Sequence, residues 1–148
     1  MSLGNIFDIA GSGMTAQSLR LNTTASNIAN AETASSSTEE TYRARKPVFA
    51  AIQQDVMSGD AFGAGWGANS AASTGVQVEG IVESDEDLQM RYQPDHPAAN
   101  EDGYVFYPNV NVVEEMADMM SSSRSFEMNV DVMNTAKSMM QRILTLGQ

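Results

Sequence analysis

The chain has 148 residues, with 19 Asp and Glu against eight Lys and Arg, one His and no Cys, so its formal net charge is −11 and its pI lies near 4.2. That length fits one domain with at most a small second module. The cations are too few to replace counterions on nucleic acid or to hold an anionic lipid surface. Without Cys there are no disulfides or thiolate metal sites, and a single His gives no basis for a histidine-based one, so no cofactor is expected.

The opening "MSLGNIFDIAGSGMTAQSLR" has no basic n-region and no apolar run of membrane-spanning length, so neither a cleaved signal peptide nor a transmembrane helix is expected. Phe7, Ala10, Met14, Gln17, Leu21, Thr24, Ile28 and Ala31 then recur three and four residues apart, which predicts a helix within residues 1–33. Asn5 with Asp8 offers a cap. Gly11 and Gly13 each cost about 0.8–1 kcal/mol relative to Ala in a helix interior, and the seam is built of small side chains. Such a helix forms only against a partner. Its second half, "RLNTTASNIANAET", is dense in Asn, Ser and Thr, with Thr23, Asn27 and Asn30 at i, i+4 and i+7 on one face.

Residues 34–109 hold all four prolines and most of the glycines, and read as a small β-rich domain. "AETASSSTEE" is a polar linker. "TYRARKPVFAAI" has the composition of a strand, with Pro47 placing it at an edge. A Gly/Ala/Ser loop over residues 58–75, carrying Phe62 and Trp66, is expected to be flexible. "GVQVEGIVES" alternates as a strand with a bulge at Gly80. "LQMRYQPDHPAANEDGYVFYPNV" gives a short strand, a Pro/Asp-rich turn and a strand at Tyr104–Tyr107.

From residue 110 to 148 the pattern is helical again. Met116, Met119, Ser123, Phe126, Val130, Met133, Lys137, Met140 and Leu144 follow a 3,4 alternation, an a/d seam with two polar interruptions. Asn111 is the expected N-cap, Glu114, Glu115 and Asp118 match the positive end of the helix dipole, and the helix should run over about residues 112–145.

No constellation for catalysis emerges. The acids of "ESDEDL" lack the alternating ligand positions of a calcium loop and read as a solvated turn. His96, between prolines, has no Ser or Cys in a triad-like setting. The Met-rich seam reads as adaptable packing.

"IFDIAGSGMTAQSLRLNTTASNIANAET" near the start and "YPNVNVVEEMADMMSSSRSFEMNVDVMNTAKSMMQRILTLGQ" at the end together resemble the rod proteins of the bacterial flagellar basal body. The resemblance implies an α+β fold in which long N- and C-terminal helices pair as a coiled coil in the inner core of a tube, with the central β-rich domain outside it. It implies a structural subunit of the rod, a drive shaft that carries motor torque across the periplasm and lines the export channel. It implies passage through the flagellar type III export apparatus without a cleaved signal, and as partners other rod subunits and the MS ring with its adapter protein. No nucleic acid or direct lipid binding is implied. Thr23, Asn27, Ile28, Asn30, Met116, Met119, Phe126, Val130, Met133, Met140 and Leu144 are then expected at subunit interfaces, with the amides bonding to neighbouring backbones and fixing register. A secreted acidic adaptor or chaperone-like binding protein is the alternative, and a small enzyme a weaker one.

Overall fold

Asn111 caps the long C-terminal helix: its side-chain oxygen accepts the Val113 N–H at 3.2 Å and its carbonyl accepts that of Glu115 at 3.0 Å. With Glu114 and Glu115 in the first turn, that helix starts where the sequence places it. A computed structural model of the protein describes residues 3–52 and 75–146. In chain order these form α1 (Leu3–Asn30), β1 (Arg45–Ile52), β2 (Gly75–Glu83), β3 (Gln89–Tyr92), β4 (Tyr104–Tyr107) and α2 (Val112–Leu146). The architecture is α+β, two terminal helices with small antiparallel sheets between them. The loop expected to be flexible, with Phe62 and Trp66, lies outside the described residues apart from Gly75. α1 begins at Leu3, ahead of the cap expected at Asn5.

The strands form two separate ribbons. β1 pairs antiparallel with β2 from Arg45↔Glu83 to Ile52↔Gly75, and the register shifts between Val48 (opposite Gly80) and Phe49 (opposite Val78). Glu79 is therefore the extra residue of a bulge beside Gly80, which kinks the ribbon. β3 pairs antiparallel with β4, where Tyr92 and Tyr104 meet edge to face with centroids 5.3 Å apart. Ser35 adds a bridge to β4, exchanging both backbone hydrogen bonds with Phe106 at 3.0 Å. The buried centre of this part is Thr41, Ala44, Val105, Pro108 and Val110.

α1 packs against both α2 and the β1–β2 ribbon. The helices run antiparallel: Asn27 meets Glu115, Arg20 meets Asp118, and Gly13 meets Asn129. Among the described residues the buried apolar ones on the helices are Ala10, Ala16 and Ala136. Close approach here comes from small side chains.

The Asn27 joint and candidate assembly faces

Asn27, 1% exposed, sits where α1, β1 and α2 converge. Its amide nitrogen donates to the Arg45 carbonyl at 2.8 Å and to Glu115 Oε1 at 3.0 Å. Its amide oxygen accepts the Tyr42 hydroxyl at 2.9 Å and the Arg45 N–H at 3.0 Å. An amide has two donor hydrogens and two acceptor lone pairs, and all four are used. Toward Arg45 the side chain takes the place of a neighbouring strand, pairing with both backbone groups of β1's first residue.

Glu115 is 7% exposed. Burial pushes its carboxyl above the usual carboxylate range, opposed by the Asn27 hydrogen bond; Asp118 adds to the rise, while Lys46 and the Thr24 hydroxyl work against it. The cations around it are engaged with other acids. Arg20 lies 3.6 Å from Asp118, Lys46 3.9 Å from Glu114, and Arg45 2.9 Å from Glu83.

A second pin holds the other end of the β1–β2 ribbon. Ser12 Oγ donates to the Ile9 carbonyl at 2.9 Å and accepts the Val76 N–H at 3.1 Å. The adjoining Gly75 has φ of 144°, and a Cβ there would overlap Ser12 Oγ, so only glycine fits.

The helix seam is turned from its expected phase. On α2, Glu115, Asp118 and Asn129 meet α1 directly and Phe126 shares a groove with it, while the buried positions are Glu115, Ser122 and Ala136, with Met119, Phe126, Asn129 and Met133 half-buried between them. Met119, Phe126 and Met133 keep the expected places and are half-buried. Each intervening position moves one residue toward the N-terminus, so Glu115, Ser122, Asn129 and Ala136 replace Met116, Ser123, Val130 and Lys137. α1 behaves alike, with Gly13, Arg20 and Asn27 in place of Met14, Leu21 and Ile28. The reason is steric. A Cβ on Gly13 would stand 2.9 Å from Asn129 Nδ2, so the helices come too close for large residues at those positions. The cost of this phase shows at Gln17 Oε1 and Ser122 Oγ, buried without a hydrogen-bond partner.

The large apolar residues are left outside. Met116 is 53% exposed, Met120 62%, Met128 68% and Leu144 67%. Met140 is also exposed, while Ile28 and Val130 are half-buried at the rim of the helix pair. Phe126 borders an open apolar groove of about 480 Å³ with Met14, Thr15, Ser18, Leu19 and Asn22. Thr23 is buried and its hydroxyl donates to the Leu19 carbonyl at 2.9 Å; Asn30 donates to the Ser26 carbonyl at 2.8 Å. Thr23, Asn27 and Asn30 thus have hydrogen-bond partners within the chain, those of Thr23 and Asn30 on α1 itself. Tyr42, Arg45, Glu115 and Ser12 complete the joints and carry no local motif that marks them.

Elsewhere Asp85, Glu86 and Asp87 are exposed on a turn whose backbone is held by Arg43 and Asn109. His96 Nδ1 accepts the Ala98 N–H at 3.1 Å within the Pro-rich turn. Among the described residues no group of three or more acids or His is placed to hold a metal, and no helix is long and apolar enough to cross a membrane.

Residues 7–34 match the family described as flagella basal body rod protein, and residues 101–146 the C-terminal family of the flagellar basal body rod proteins FlgEFG. Across its whole length, and that of the relative, the chain is 47% identical to the flagellar basal-body rod protein FlgC of Salmonella typhimurium. The chain belongs to the FlgC family. Identity is 44% to FlgC of Yersinia enterocolitica and 35% to FlgC of Bacillus subtilis, again over all of both chains. FlgC is a structural rod protein and not an enzyme, and the readings as an adaptor or a small enzyme give way to that.

Proposed function

We infer that the chain is a structural subunit of the proximal rod of the flagellar basal body, serving flagellum-dependent motility. The observation that carries this is full-length kinship with FlgC, joined to an α2 face whose methionines are left exposed among the described residues. Exposed apolar residues at helical spacing are what a subunit needs to bury against neighbours in a tube. In the assembled rod α1 and α2 pair as a coiled coil in the inner core, and the β ribbons lie outside. Ile28, Met116, Met119, Phe126, Val130, Met133, Met140 and Leu144 form the contacts between subunits, while Asn27 ties together the elements that present them and Thr23 and Asn30 bond within α1. Its partners are other rod subunits, the MS ring with its adapter, and the type III export apparatus that carries the chain to the periplasm without signal cleavage. The rod so formed transmits torque and lines the export channel.

Met116→Asp combined with Leu144→Asp tests this. Both positions are exposed, so the free chain should fold and be exported as before. A carboxylate buried against a neighbouring helix costs several kcal/mol, so rods should fail to form and the cells should not swim. Normal swimming with the double variant would remove these positions from the interface.

A further inference from the structure

We propose that Glu115 makes the joint between the helix pair and the β1–β2 ribbon responsive to protons, tightest when the side chain is a neutral acid and looser when it ionises. The device belongs to the free chain and is independent of any place in a rod.

Glu115 is the one buried acid among the described residues, and no cation is dedicated to it. From α1 it faces Thr24 and Arg20, the latter committed to Asp118; from β1, Lys46, committed to Glu114, and Arg45, committed to Glu83 on β2. Tyr42 gives its hydroxyl to Asn27. On α2 itself the nearby groups are Glu114 and Asp118, both acids. The charged form therefore leans on one amide and one hydroxyl, while the desolvation penalty on a buried carboxylate goes largely uncompensated. Adding a proton removes the charge and keeps the bond, because Oε1 of the neutral acid still accepts from Asn27 Nδ2. A cleft of about 200 Å³, lined by Arg20, Thr24, Lys46, Phe49 and Asp118, opens onto the carboxyl and gives the proton its route.

Burial holds the folded-state carboxyl above its ordinary value of 4.5, so in the window just above that value the folded chain binds more protons than the unfolded one. Stability then falls as pH rises through this window. That sign is opposite to acid denaturation driven by paired carboxylates.

The test compares urea unfolding of the full chain with that of Glu115→Gln between about pH 7.5 and about pH 5. The wild-type midpoint should rise on acidification. Relief of the general acidic charge acts on both chains alike, so the readout is the difference between the two profiles. Glu115→Gln should show about half the rise or less and be at least as stable as wild type at the upper pH. Parallel profiles, or a Gln variant weaker at the upper pH with an unchanged slope, would overturn the proposal. Carbon-detected titration of the wild-type carboxyls decides the matter without a variant. Glu115 must titrate above the exposed glutamates, and titration among them refutes the idea.

Discussion

Replacing Asn27 by Ala removes four hydrogen bonds at once, those to both backbone groups of Arg45, to the Tyr42 hydroxyl and to Glu115 Oε1. A buried polar group without a partner costs about 1–3 kcal/mol, and part of the set will find water, so a loss of about 2–4 kcal/mol is expected in urea unfolding. Asn27→Asp should be worse near neutrality, because it cannot donate and sets a second carboxylate against Glu115. Like charges raise both pKa values, so this variant should recover as the pH is lowered, while Asn27→Ala should not recover in the same way. A pH profile of the two separates charge from lost bonding. The sequence singled out Asn27 by its amide-rich setting and placed its partners outside the chain. Tyr42, Arg45 and Glu115 lie 15, 18 and 88 residues away, and no local period reports such distances.

Elements were legible where periodicity is strong. α2 starts at the residue its cap predicts, and all four strands fall where alternation and punctuation put them. The phase of the helix seam was not legible. A heptad count rewards large apolar residues, whereas these helices approach on Gly13, Ala10 and Ala136, and closeness selects for small partners. Two glycines of α1 give a matched test of this packing. A Cβ on Gly11 meets nothing within 4 Å, so Gly11→Ala should stabilise the free chain by about 0.4–1 kcal/mol. On Gly13 it meets Asn129 at 2.9 Å, so Gly13→Ala should gain nothing or lose stability. Equal gains in thermal melting from both would mean that the helices do not pack at this distance. Gly75→Ala should be costly on two counts, an unfavourable φ and the overlap with Ser12, and should free the start of β2 from α1.

Taken as a whole, the molecule is unevenly tied together. Near the Asn27 joint Thr23, Thr24, Asn27 and Glu115 are buried and Asn27 holds the Arg45 backbone, whereas over residues 4–12 of α1 and 133–145 of α2 the buried residues are Ala10 and Ala136, with the Ser12 pin beside them. Amide hydrogen exchange on dilute protein should follow that gradient. Residues 20–30 and 112–122 should exchange slowly with the strands, and the far ends of both helices quickly. Uniform protection along both helices would show that the pair needs no neighbour to be stable. Incorporation into a rod should erase the gradient.

The two pins on the β1–β2 ribbon have a metric consequence. Ser12 and Asn27 are 15 residues apart on α1, about 22 Å of helix rise, while Arg45 to Ala51, the partner of Val76, spans six residues or about 20 Å of strand. A strand that slips while keeping its faces moves two residues, about 6.7 Å. In one direction such a slip sets Pro47 in the place of Arg45, and Pro47 has no N–H to give to Asn27 Oδ1. The ribbon is thus gauged against the helix near both of its ends, and its own proline blocks one of the two neighbouring settings.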